Sequence, residues 1–138
     1  MKAPIWYALL PMIVISASCS NHPPTTNELE RRWEAADGGV VVLSADGSLS
    51  ADSLPTAVFN RMKNHPARFS GSGTWSIVQH ADGRWYVDMK FTTLSSWPGS
   101  LMNDLIIDRR NETLVLYTWV ADEGGARYEL HPPTHARL

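Results

Sequence analysis

"RWYVDMKFTT", residues 84–93, decides the fold. Trp85, Val87, Met89 and Phe91 fall on one side of an extended chain, and Tyr86, Asp88, Lys90 and Thr92 fall on the other. Side chains alternate across a strand with a period of two, so this stretch reads as a β-strand with one buried and one wet face. The stretches on either side repeat the pattern. "SLSAD" (48–52), "TWSIVQ" (74–79) and "RYELH" (127–131) place Leu49, Ala51, Trp75, Ile77, Tyr128 and Leu130 inward. "VVVL" (40–43), "LII" (105–107) and "TLVLYTWV" (113–120) are apolar throughout and read as covered strands.

Turn signals separate these runs at short intervals. "ADG" occurs at 36–38, 45–47 and 81–83, with "RRNE" at 109–112 and "ADEGG" at 121–125. Asp-Gly between apolar runs marks a hairpin, because the turn requires positive φ angles that Gly and Asp tolerate. The count is about eight strands, near 32–36, 39–44, 47–53, 72–80, 84–93, 104–108, 113–120 and 126–131. An antiparallel meander of this length leaves two edges unless it closes on itself. The expected fold is therefore all-β: a single small up-and-down antiparallel barrel with one or two short helices.

Two connections are longer than tight turns. The first, 54–71, opens "LPTAVFNRMKN", with Ser53 placed to cap a helix, Pro55 at its first position, and Val58, Phe59 and Met62 along one apolar side. The second, "SSWPGSLMN" at 95–103, is a Pro-Gly loop carrying Trp97. A short helical turn at "NELERR" (27–32) precedes the first strand, with Asn27 as cap and Glu30 reaching back.

Ahead of this domain, residues 1–18 run from Lys2 through the apolar "IWYALLPMIVI" to the small residues Ser16, Ala17 and Ser18. Charged start, apolar centre and small-residue end are the order of a secretory signal. The apolar run is shorter than the roughly 20 residues a membrane-spanning helix needs. Pro4 and Pro11 also disfavour a helical span. Cys19, the sole cysteine, follows at once.

"SASC" (16–19) resembles the lipobox of bacterial lipoproteins, in which cleavage before the cysteine leaves it as the acylated first residue of the mature chain. The resemblance departs at Ser16, where the family usually carries an aliphatic residue. It implies lipid attachment at Cys19, and two or three acyl chains make a durable anchor where one is marginal. Ser20 is not the aspartate that commonly marks inner-membrane retention, so the resemblance implies the outer membrane of a two-membrane envelope, or the outer face of a single membrane. Residues 19–27 form a polar tether stiffened by Pro23 and Pro24, and 28–138 form the barrel domain.

Within the domain, Trp33, "LSADGSLSADSLP" (43–55), "GSGTWSIV" (71–78) and "RYEL" (127–130) resemble small bacterial lipocalin-like domains, including a group common in actinobacterial lipoproteins. "ERRW" lacks the Gly-Thr that usually opens that pattern, and "DGSL" replaces a "DGTF"-like hairpin. The resemblance implies a cup for a small hydrophobic molecule. An eight-stranded barrel, however, is either filled by its own side chains or left open for one small ligand. Trp33, Trp75 and Trp85 suit a core. Trp97, in a loop, would with Val58, Phe59 and Met62 rim the mouth and form the ligand-binding site.

Composition and spacing oppose other functions. The formal charge of −2 becomes −3 once Lys2 is removed, and "ERR" (30–32) and "DRRNE" (108–112) are flanked by acids, which excludes a nucleic-acid surface. His131 and His135 straddle Pro132 and Pro133, which prevent the helix that would aim both at one metal. Neither a nucleophile elbow nor a metal or cofactor motif occurs, so no catalytic residue is named. The leading expectation is a non-enzymatic, lipid-anchored envelope protein binding a small apolar ligand. The alternative is a structural or protein-interaction module, such as an inhibitor or assembly factor, with a filled barrel. An enzyme with an unrecognised site is the third.

Overall fold

The computed structural model describes residues 22–120 and 124–134; Cys19, the expected signal segment 1–18 and part of the expected 121–125 turn lie outside the described residues. The elements in chain order are α1 (Thr26–Leu29), β1 (Arg32–Ala35), β2 (Val40–Leu43), β3 (Ser48–Pro55), α2 (Thr56–Phe59), β4 (Arg68–Gln79), β5 (Trp85–Leu94), β6 (Leu101–Arg110), β7 (Thr113–Trp119) and β8 (Arg127–His131). Each strand pairs antiparallel with the next, and β1 pairs with β8 through Glu34 opposite His131 and Ala35 opposite Leu130. The sheet is thus a closed eight-stranded up-and-down barrel.

The alternation in β5 has the physical meaning that the sequence gives it: Val87, Met89 and Phe91 are buried while Lys90 and Thr92 are exposed. Trp85, at the end of the strand, is only partly covered. The hairpins rest on left-handed residues, including Gly83 at φ 84° and Asn111 at φ 58°. Asn accepts that conformation more readily than most residues because its short amide bonds locally. A bulge between Ser72 and Gly73 brings β4 so close to β5 that a Cβ at Gly73 would collide with the carbonyl of Lys90.

Buried side chains occupy the barrel along its length. Trp33, Val41, Leu43, Leu49, Phe69, Met89, Phe91, Leu105, Leu116 and Leu130 belong to one continuous cluster. Because strands alternate in direction, α1 lies at the end that carries the β2–β3, β4–β5 and β6–β7 turns, and α2 at the opposite end. α1 closes its end with Leu29, whose carbonyl accepts a 3.0 Å bond from Trp33 Nε1. Thr25 and Glu28 form its capping box, and Glu28 also receives two bonds, 2.9 and 3.2 Å, from Arg109 of β6. α2 closes the other end with Phe59, which packs edge-on to Phe69 at 6.4 Å and to Tyr128 at 5.5 Å.

The elements differ from the sequence expectation at three connections. The first helical turn is capped by Thr25 and Glu28, two residues before Asn27 and Glu30. Ser53 does not cap a helix: it sits at φ 58° in a bulge of β3, which continues to Pro55. α2 is a single turn ending at Asn60, so Met62 falls beyond it, and β4 starts at Arg68, four residues before the expected 72. The bulge accounts for the longer strands, because it restores pairing of Leu54 with Phe69 and Pro55 with Arg68 after the register shift.

Candidate functional site

The four residues expected to rim a cup separate into two groups. Phe59 is buried, and Trp97, partly buried, lies 5.4 Å from Phe69 and donates Nε1 to the His65 carbonyl at 3.1 Å. Both therefore belong to the plug of the α2 end. Val58 is partly buried against the same core, whereas Met62 is 89% exposed. Phe59, Val58 and Met62 do border a common feature, a groove of about 540 Å³ on the outside of the barrel, between the α2 turn and the β5–β6 wall.

The floor of that groove comes from register. Asp88 of β5 stands directly opposite Asp104 of β6, on the outer face. A hydrogen bond that the protonated Asp104 carboxyl donates to Asp88, burial and the Asp88 charge push Asp104 up to about 6, against a smaller opposing effect of His80. His80 Nε2 is 3.7 Å from Asp104 Oδ2, and its ring stacks on Tyr86 at 3.7 Å. Like charges directly opposite on a sheet destabilise it. One residue along, Asn103 donates Nδ2 to the Phe59 carbonyl at 2.9 Å and so ties α2 to β6. Its Oδ1 is buried and meets no hydrogen-bond donor among the described residues. Met102, 63% exposed, projects from the same edge.

A second groove, of about 560 Å³, runs between the β4–β5 turn and the β6–β7 wall, bordered by His22 and Pro24 of the tether. Two of its three arginines, Arg109 and Arg127, are already matched, whereas Arg84 forms no ion pair among the described residues. Arg109 holds Glu28 at 2.9 Å, and Arg127 lies 4.1 Å over the Tyr117 ring and 3.9 Å from both Asp108 and Glu129. Arg110 reaches from β6 across β7 to Glu129 of β8 at 2.7 Å while bonding Asp108 at 2.9 Å. These two arginines strap the outer side of β7, which explains why Val115 and Tyr117 are buried although they face outward.

A third polar cluster fastens the α2 end. Asp37 accepts bonds from Tyr128 Oη at 2.8 Å, Gly39 N–H at 3.0 Å and Arg68 at 2.9 Å. Burial opposes the charge of Asp37, but these three donors outweigh it and hold the carboxyl below its usual range. Burial first, then the bond to Asp37, pushes the Tyr128 hydroxyl well above its ordinary value, so it remains a donor. The cluster pins the β1–β2 turn to β4 and β8 and offers no activated nucleophile.

Among the described residues no group of three or more His, Cys, Asp or Glu is arranged to hold a metal ion, and no histidine nitrogen is bonded to a serine hydroxyl. No helix among them is long and apolar enough to cross a membrane. Sequence reasoning named Val58, Phe59 and Met62 but missed Asp88, Asp104, Met102 and Asn103. The available signal was the outward position of Asp88 in the alternating strand, without the register that sets Asp104 against it. Comparison of the chain with protein-family models, with curated proteins and with solved structures finds no match.

Proposed function

We propose that the protein is a non-enzymatic, lipid-anchored lipoprotein of the cell envelope whose barrel is a solid interaction module and acts through its outer surface. The observation that supports this reading is the filled interior: Trp33, Phe69, Phe91 and Met89 occupy the barrel, with Leu29 and Phe59 closing its two ends. A barrel of eight strands is just wide enough for side chains to fill. Phe59 and Trp97, two of the residues that would have rimmed a cup, are used to close it instead.

The anchor rests on Cys19 and the apolar segment before it. Acylation there would hold the barrel at the outer membrane, or at the outer face of a single membrane, on the short Pro-containing tether.

Two measurements test the two halves of this proposal. Membrane fractionation with intact-mass analysis should find the native chain starting at acylated Cys19, and Cys19→Ala should release it; retention of residues 1–18 or a bare thiol overturns the anchor. Native mass spectrometry of the protein should show no co-purifying lipid in the barrel and no stabilisation by fatty acids. A saturable fatty-acid adduct that raises the melting temperature would instead support the ligand-binding reading.

A further inference from the structure

The outer groove beside α2 combines two features that occur together nowhere else on the described surface. Met62 and Met102, both exposed, border it together. The carboxylates of Asp88 and Asp104 face each other along it and form no ion pair with Lys or Arg among the described residues. Two cations leave the floor carboxylates unpaired: Arg61 lines the groove itself but donates to the Trp119 carbonyl at 3.2 Å, and Lys90 projects from the same face of β5 without an ion pair to either.

We propose that this groove docks a basic, apolar segment of a partner protein, with its Lys or Arg side chain against Asp88 and Asp104 and an apolar side chain between Met62 and Met102. The inference rests on the reading that the barrel acts through its outer surface. Charge selects the occupant. Paired carboxylates attract ammonium or guanidinium groups, and the planar guanidinium can bond both carboxylates at once. Methionine suits the apolar part, since its flexible thioether adapts to varied side chains.

The same charges disfavour two other occupants. Anionic headgroups would be repelled by the floor. A second copy has only scattered free cations among its described residues: Arg32 pairs with Glu34, Arg68 with Asp37, Arg109 with Glu28, and Arg110 with Asp108 and Glu129, while the unpaired Lys63, Arg84 and Lys90 lie apart on the α2–β4 loop, the β4–β5 turn and β5.

The test uses the native full chain, in nanodiscs of neutral phosphatidylcholine if it is membrane-bound and in buffer if it is not, titrated with a fluorescent peptide of alternating leucine and arginine. Peptides of alternating leucine and glutamate, and of glycine and arginine, serve as controls, with empty discs as blank. The leucine–arginine peptide should bind saturably and weaken with added salt. Asp88→Asn with Asp104→Asn should lower its affinity about tenfold or more, as should Met62→Ser with Met102→Ser. Both variants should melt no lower than the parent, because all four side chains lie on the surface. The inference is overturned if no saturable binding occurs below about 1 mM, if the acidic peptide binds as well, or if either double variant binds unchanged. It is also overturned in favour of a second copy if sedimentation shows a dimer that Met62→Ser with Met102→Ser dissociates. Failure here leaves the Cys19 fractionation and the ligand measurement unaffected, so the two proposals fall separately.

Discussion

Asp88 and Asp104 oppose each other across the β5–β6 ladder, and the carboxyl of Asp104 is pushed up to about 6 as a result. A folded value above the ordinary 3.8 contributes stability that is fully present below the unfolded value and lost as pH rises through 6. The groups facing it are Asp88 and Lys90 from β5, His80 from the β4–β5 turn and Tyr86 beneath that histidine. Asp104→Asn removes the repulsion. Its side chain is 39% exposed, so solvent screening reduces the gain to about 1 kcal/mol at pH 7. Thermal melts from pH 4 to 8 should show the parent losing stability relative to the variant as pH rises through about 6.

Phe59 and Met62 are three residues apart and should behave oppositely. Phe59→Ala removes a buried ring that contacts Phe69 and Tyr128 and should cost about 3–5 kcal/mol. Met62→Ala, at an exposed position, should stay within about 0.5 kcal/mol. Urea unfolding separates the two. Equal effects would contradict the division between plug and groove.

Glu28 links the capping box of α1 to Arg109. The hydrogen bond from Arg109 acts first among the effects that lower its carboxyl below the ordinary value, with burial opposing. A depressed folded value gives stability that is present at neutral pH and lost as pH falls through the folded value. Glu28→Gln should therefore destabilise by about 1 kcal/mol at pH 7, with the difference from the parent shrinking under acid. Denaturant midpoints at pH 7 and pH 3 test the sign.

Gly73 occupies a bulge where the partner backbone leaves no room for a side chain. Gly73→Ala should destabilise by about 1–3 kcal/mol, because Lys90 contributes a rigid carbonyl there rather than a movable side chain. Gly47, whose Cβ would meet open space but whose φ is 90°, provides the comparison of backbone strain without a clash. Calorimetric melting of both alanine variants distinguishes the two effects.

The barrel was legible because its two signals are local. Period-two alternation in 84–93 and an Asp-Gly or Asn turn at the β1–β2, β2–β3, β4–β5 and β6–β7 hairpins are properties of consecutive residues. Helix caps at 25–28 were misplaced by two residues because Thr25, Thr26 and Asn27 are all competent caps, and the docking of Glu28 onto Arg109 selects among them. The bulge at Ser53 was hidden because a non-glycine residue there gives no warning of a left-handed conformation. The outer groove was illegible for a different reason. Asp88 and Asp104 meet only once register is set, and Met62 joins Met102 only because α2 stops after one turn.

The joint between Glu34–Ala35 and Leu130–His131 unites the two extremities of the domain with the fewest paired residues of any adjacent strands. Such a contact spans the whole run of strands, so its loop-closure entropy is best offset after the intervening hairpins have organised. The expected order of assembly is a row of ribbons that zips into a cylinder last, and the same joint is where amide exchange should first reveal fraying.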